Sequence, residues 1–439
     1  MIKVFALGGY KEFGRNMTAV QVDDEVVIID MGIHLENYIN LTEDEDLIQI
    51  SKKDLENADA IPHMGKIKDI QDKVVGIIPT HAHLDHIGAI PFLAKEFSCP
   101  IYCTNFTGEV VRTLFADERR KLKNPIVVKD TNSKFNIGNI KVEFINVAHS
   151  TPQTIMVAIH TEKGAILYCN DFKLDSNTVL GERPNIERIK ELKGKVLALI
   201  CDSTYSIDDG KTESELVAKD MLENLLLKEN YDGKVLIITT FSSHLARLNS
   251  IVEFAKKINR KVIFLGRSLH KYISAGQNAG IIDFSKYDFY KYRREIDTKL
   301  KKIMTEGPQK YLLVVTGHQG EPKATLSRIA RGLTPLNLLR GDVVIFSSSV
   351  IPVKTNIENR EELEKSLSQN EVKMFRDVHV SGHASKEDIE ALIDMIRPEN
   401  IIPAHGDVEM LEGVRDIAKS LNINESKIHI LSNGDSVDL

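Results

Sequence analysis

The chain lacks most of the features that would assign it to a specialised class. It has no N-terminal segment of signal-peptide design and no apolar run near the roughly 20 residues that cross a bilayer, so the expectation is a cytoplasmic protein with no membrane partner. Its four cysteines, Cys99, Cys103, Cys169 and Cys201, show neither zinc-knuckle pairing nor a thioredoxin-type spacing. They sit in or beside apolar runs, which reads as buried reduced thiols. There is no internal repeat and no low-complexity tract. A basic surplus is also missing, since the net charge is −6. That acidity is local: within residues 36–59, Glu36, Glu43, Asp44, Glu45, Asp46, Asp54, Glu56 and Asp59 face only Lys52 and Lys53, which accounts for all of it. With 439 residues, 42% hydrophobic and 27% charged, the chain can bury at least two cores.

One stretch has the opposite balance. From Lys286 to Lys302 seven basic residues outnumber three acids, with Tyr287, Phe289, Tyr290 and Tyr292 interleaved. Cations alternating with aromatics suit a path for single-stranded nucleic acid. A solvated helix with its tyrosines turned inward fits the same pattern.

The most informative run is Thr80-His81-Ala82-His83-Leu84-Asp85-His86, which follows the apolar segment Val74–Pro79. A β-branched segment of this kind should be a buried strand that delivers the turn to a sheet edge. Imidazoles mixed with a carboxylate suit Zn²⁺, with Mn²⁺ the other candidate, and argue against an iron–sulfur centre or a Ca²⁺ loop. Four donors this close do not converge easily on one ion. His81 and His83 are therefore expected on one metal, and Asp85 and His86 on a second. His149, Asp171 and His405 each end an apolar, strand-like run and can complete the two sets. A carboxylate such as Asp171 can bridge two cations held roughly 3.5–4 Å apart with a nucleophilic hydroxide between them, which Asp85 would help to position. Alone, each of these residues would read as an ordinary hydrogen-bonded strand end.

More than two hundred residues separate Asp171 from His405. Strand patterns at 234–241, 261–266, 311–316 and 342–347 alternate there with helical patterns at 244–257, 268–279 and 322–332. Such alternation implies right-handed crossovers and a second, mainly parallel α/β domain.

In order and type these residues resemble the metallo-β-lactamase superfamily. The insert is similar to its β-CASP family of nucleic-acid-processing members. The runs Leu7–Thr18, Thr316–Pro322 and Ser347–Pro352 most resemble ribonuclease J. With only 34 residues after His405, the chain resembles the shorter archaeal type. Two departures stand out: His318 where bacterial relatives usually carry Ser, and a long connection over residues 34–66.

The resemblance implies an αββα sandwich with the β-CASP domain inserted: residues 1–206 and 351–439 in the metallo-β-lactamase domain, 207–350 in the insert. It implies two Zn²⁺ per subunit, one on His81, His83, His149 and Asp171, the other on Asp85, His86, Asp171 and His405. Asp30 would orient the histidine turn without binding metal. Asp202 and His383 match the family's motifs A and B, so His383 is expected to act on the scissile phosphate and Asp202 to orient it. Ser242, Ser243, Gly382, His383, Ala384 and Ser385 are expected to hold an RNA phosphate, since helix N-termini bind phosphate. The implied activity is a 5′-to-3′ exonuclease on single-stranded RNA with a 5′-monophosphate, with internal cleavage left open, in a homodimer. A 3′-end-processing endonuclease of the same family and a noncatalytic RNA-binding scaffold are the alternatives. Filled ligand positions disfavour the scaffold.

Overall fold

The computed structural model describes residues 1–43 and 50–439, so Asp44, Glu45 and Asp46 of the acidic stretch, and the part of the 34–66 connection around them, lie outside the described residues. Contacts divide the chain into two units: Met1–Ser176, Gly181–Thr212 and Ser381–Leu439 form one, and Asn177–Leu180 with Glu213–Val380 form the other.

The first unit opens with β1 (Ile2–Gly8), β2 (Met17–Val22), β3 (Glu25–Ile29), β4 (Val74–Ile78), β5 (Ile101–Cys103) and β6 (Ile126–Val128). It continues through β7 (Lys134–Ile137), β8 (Ile140–Asn146), β9 (Ile155–Thr161), β10 (Gly164–Cys169) and β11 (Val196–Asp202). The second unit holds β12 (Leu236–Thr240), β13 (Lys261–Leu265), β14 (Asp288–Tyr290), β15 (Tyr311–Val315), β16 (Val343–Ser347) and β17 (Lys373–Phe375). The chain then returns to the first unit for β18 (Asn400–Ala404) and β19 (Ser436–Asp438).

Two sheets face each other in the first unit, ordered β19-β1-β2-β3-β4-β5-β6 and β18-β11-β10-β9-β8-β7. Val4, Val20, Val27 and Ile78 of one meet Phe144, Val157, Ile166 and Ile200 of the other in a single core. The far face of the second sheet packs Leu167, Leu199 and Ile401 under Ile389, Leu392 and Ile393 of the helix Lys386–Ile396 and under Val414 and Ile417 of the helix Val408–Ser420. Covered on both faces, β11 and β18 read as unbroken apolar runs rather than as alternation. This is the expected αββα arrangement.

The second unit is one sheet, ordered β14-β13-β15-β12-β16-β17, with every pairing parallel. It is larger than 207–350. The helix Lys354–Gln369 and β17 belong to it, because β17 pairs with β16 and Leu363, Leu367 and Val372 join its core. The boundaries read from sequence thus differ from the compact units: 207–212 stays with the first, and 351–380 goes to the second.

All four cysteines are free and buried. Among the described residues no helix is long and apolar enough to cross a membrane.

Candidate metal centre

The site sits where strands of the first unit end together. β3 and β4 run parallel, so Asp30 follows one strand beside Thr80 at the end of the other. The backbone N–H of Thr80 donates to Asp30 Oδ1 (2.7 Å), and Tyr168 Oη donates to Oδ2 (3.0 Å). In the other sheet β10, β11 and β18 are adjacent and parallel, with Cys169, Cys201 and Pro403 in register. Asp171, Asp202 and His405 therefore emerge at one sheet edge. Asp30, Asp171 and His405 each turn out of their strand with positive φ (60°, 54° and 57°), a left-handed conformation costly for non-glycine residues. Gly32 lets the chain pass the histidine turn, since a Cβ there would lie 1.6 Å from the Asp85 carbonyl oxygen.

Seven predicted ligand residues come together. His81 Nε2 and His149 Nε2 each lie 3.1 Å from His83 Nδ1, and Asp171 Oδ2 lies 3.3 Å from His81 Nε2. On the other side Asp171 Oδ1 is 3.1 Å from His86 Nε2 and 3.6 Å from His405 Nε2, with Asp85 Oδ2 at 3.5 and 3.7 Å from the same two nitrogens. Donors at Zn–N and Zn–O distances on a tetrahedron stand roughly 3.4 Å apart, so the spacing fits a cation in each group.

The outer ring nitrogens identify the inner ones. His149 Nδ1 donates to the Gly382 carbonyl (2.8 Å), His86 Nδ1 to Asp30 Oδ2 (2.7 Å), His405 Nδ1 to Asn16 Oδ1 (3.0 Å), and His81 Nδ1 to Thr80 Oγ1 (3.1 Å). Each ring then turns a bare lone pair inward, the usual preparation of a ligating imidazole. Both Asp171 oxygens are buried without any hydrogen-bond donor. A fully buried carboxylate without donors, ringed by imidazole lone pairs, is the pattern a cation pair would satisfy. His81, His83, His149 and Asp171 could hold one ion, and Asp85, His86, Asp171 and His405 the other.

Charge follows the same plan. Burial holds His81 and His149 below their usual range and pushes His83 down to about 3, keeping all three neutral. For Asp171 and Asp85 burial would raise the value, but the surrounding imidazoles outweigh it and both stay ionised. His86 alone goes up: burial opposes this, and the carboxylates of Asp171, Asp30 and Asp85 prevail.

His383 stands beside these groups. Its Nδ1 is 2.8 Å from Asp202 Oδ2, and its Nε2 is 3.7 Å from Asp171 Oδ2. At 20% side-chain exposure it is the most open member, whereas Asp202 is fully buried and fixed by the Thr204 N–H (2.9 Å). Burial would lower the His383 value, yet Asp171 and Asp202 raise it to about 9. Gly382 is required here, because a Cβ would come within 2.9 Å of the His149 ring.

Of the expected phosphate contacts, the N–H groups of His383 and Ser385 already donate to Ser381 Oγ and Thr212 Oγ1, and Ala384 is buried. Ser242 and Ser243, in the second unit, are nearly buried, with Ser242 Oγ 2.8 Å from Ser268 Oγ. Sequence reading gave no role to Asn16, whose amide also reaches the Asp85 carbonyl (3.2 Å), or to Lys173, buried with Nζ 3.3 Å from the Ser381 carbonyl. A polar residue inside an apolar strand entry was the available signal for Asn16.

Comparison with known proteins agrees with this architecture. Residues 10–236 match the metallo-beta-lactamase superfamily, 233–362 the family described as "Ribonuclease J, beta-CASP domain", and 370–430 the "Zn-dependent metallo-hydrolase RNA specificity domain". The chain is 39% identical to ribonuclease J of Methanocaldococcus jannaschii over 99% of its own length and 98% of that protein, and 41% identical to ribonuclease J of Pyrococcus abyssi over 100% and 97%. Ribonuclease J of Mycoplasma pneumoniae is 31% identical over 98% of this chain and 72% of that one. A crystal structure of a protein of unknown function from Enterococcus faecalis shares the fold over the full length of both chains, with a TM-score of 0.66 at 17% identity. With the sandwich, the inserted sheet and the paired ligand groups in one chain, this protein belongs to the ribonuclease J family of the metallo-β-lactamase superfamily.

Proposed function

We propose that the protein is a two-metal ribonuclease that shortens single-stranded RNA from a 5′-monophosphate end. The observation that carries the reading is Asp171, whose two donorless oxygens each face a separate group of imidazoles. Relatives named ribonuclease J and the match to an RNA specificity domain support RNA as the substrate.

The donor set suits Zn²⁺, with Mn²⁺ as the other candidate, in the two groups named above. When bound, such a pair supplies a water-derived nucleophile at neutral pH and positive charge against a phosphodiester. The protein's own residues do the rest. Asp202 anchors His383 through Nδ1, which leaves Nε2 to donate a proton toward the scissile phosphate or the departing 3′ oxygen. Asn16, Asp30, Thr80 and the Gly382 carbonyl hold the ligand rings in their tautomers. Gly382, His383, Ala384 and Ser385, opening the helix Lys386–Ile396, are the phosphate contacts proposed for the first unit. Ser242 and Ser243, before the helix Leu245–Lys257, are those proposed for the second.

The direction of attack is tested with 3′-labelled RNAs of one sequence bearing a 5′-monophosphate, a 5′-triphosphate or a 5′-hydroxyl. Mononucleotides should appear fastest from the monophosphate. Equal release from all three removes the 5′-end argument, and internal fragments without mononucleotides turn the reading to an endonuclease.

A further inference from the structure

The basic, aromatic stretch Lys286–Lys302 is sorted by the fold into two parts. Phe289 stacks on Phe264 (5.0 Å between centroids, planes 7° apart), Tyr287 meets Phe264 edge-on, and Tyr290 lies under Lys299. Those three rings are packing. Tyr292 is the exception, 53% exposed with Lys291 Nζ 4.9 Å from its ring centroid.

The charges sort in the same way. Every acid of the stretch is engaged: Asp288 by Lys299 (3.0 Å) and Lys261 (3.3 Å), Asp297 by Arg328 (3.0 Å), and Glu295 by the Tyr292 backbone N–H (3.3 Å). Lys286, Arg293 and Arg294 are exposed, and among the described residues no carboxylate pairs with them. Arg293 and Arg294 also occupy the first turn of the helix Arg293–Glu306, where cations oppose the helix dipole. They do nothing for the helix, and they are not spent on ion pairs.

Their placement adds a neighbour. β14 is the edge strand and pairs parallel with β13, so Leu265 and Tyr290 lie side by side. The Gly266 N–H donates to the Tyr290 carbonyl (2.9 Å), and exposed, unpaired Arg267 follows directly. Arg267, Lys291, Tyr292, Arg293 and Arg294 therefore gather at the carboxyl ends of two adjacent parallel strands, the side on which open α/β sheets bind ligands.

We propose that this rim of the second unit is a sequence-independent holding site for single-stranded RNA. Arg267, Arg293 and Arg294 meet backbone phosphates, and a base stacks on Tyr292. The proposal rests on the RNA reading of the site and adds a place where substrate is held away from the metal-ligand groups. Guanidiniums supply the affinity and an aromatic face supplies the preference for unstacked bases. A folded acidic protein would offer carboxylates but no ring to cover Tyr292.

The test is fluorescence anisotropy of a labelled 20-nucleotide RNA on the full-length, metal-depleted protein, across a salt series. Arg293→Ser/Arg294→Ser should weaken binding about tenfold and reduce the slope of log K against log salt by about 2, one for each lost phosphate contact. Tyr292→Ala should weaken binding about tenfold with the slope unchanged. Arg293→Lys/Arg294→Lys should keep the wild-type slope, and unchanged melting temperatures should accompany all three. Variants that bind like the wild type overturn the proposal while leaving the ribonuclease reading intact. A wild-type protein that neither binds nor cleaves RNA overturns both. A duplex held as tightly as the single strand, or displacement of the RNA by polyglutamate at equal charge, also overturns it.

Discussion

His383 differs from the ligand histidines in how its nitrogens are used. In each of His81, His86, His149 and His405 the outer nitrogen donates to a fixed acceptor and the inner one is bare. In His383 the fixed acceptor is Asp202, and the other nitrogen points toward Asp171 at 3.7 Å from a more exposed position. It is built to carry a proton rather than to complete a metal shell. His383→Ala should lower the cleavage rate about 100- to 10,000-fold, the usual worth of a positioned acid or base, while bound metal measured by atomic absorption stays at the wild-type level. Loss of metal together with activity would make His383 a ligand and end this assignment. The ligand histidines and their carboxylates were legible in the sequence because each ends an apolar run and the HxHxDH spacing is rarely accidental. Asn16 and Lys173 were not, since nothing local marks a residue whose partners lie hundreds of positions away.

At the scale of elements, strand ends place the ligands, and one buried carboxylate fastens the strands that carry them. Glu143 on β8 accepts from Arg188 Nε (2.6 Å) of the helix Ile186–Glu191 and from His160 Nε2 (2.8 Å) on β9. Burial would raise its value, but the hydrogen bonds from His160 and Arg188 prevail and bring it down from 4.5 to about 2. Because the folded value lies below the unfolded one, this stabilisation is complete above about pH 4.5 and is lost as the pH falls toward 2. Glu143→Gln should therefore cost about 2 kcal/mol at pH 7, where it leaves Arg188 without its carboxylate, and far less at pH 3. Urea midpoints at the two pH values check this, and a cost independent of pH would refute it. Strands and helices of the second unit from β12 to β16 follow the sequence pattern closely, apart from the three-residue β14 and the charged helix Arg293–Glu306. Three-residue strands such as β14 and β17 carry too few side chains for a period to show, which is why the boundary at 350 fell short of the observed one.

For the whole molecule, the ligand groups make stability depend on metal. A cation that binds only the folded chain stabilises it by about 2.7 kcal/mol per site at a hundredfold excess over its Kd. Removing metal with a chelator should lower the stability of the wild type by about twice that, and adding Zn²⁺ should restore it. Asp171→Asn removes the carboxylate shared by both groups and one of the least satisfied buried charges of the metal-free protein. That variant should be at least as stable as the chelated wild type and should gain little from Zn²⁺. Thermal melts with and without metal read both effects, and full rescue of the variant by Zn²⁺ would show that Asp171 is not the bridge.

By itself the sequence determined which side chains are available for chemistry and in what order, because apolar runs must become buried strands and their polar ends must emerge at sheet edges. It also determined that a second α/β layer interrupts the first domain, since strand and helix periods alternate between Asp171 and His405. Only the tertiary structure decided that one oxygen of Asp171 faces each imidazole group, that Asn16 and the Gly382 carbonyl hold rings far away in the chain, and that Tyr292 is open while Tyr287 and Tyr290 are packed. Those outcomes depend on which strands lie side by side and how their ends turn, and distance along a chain carries no record of either.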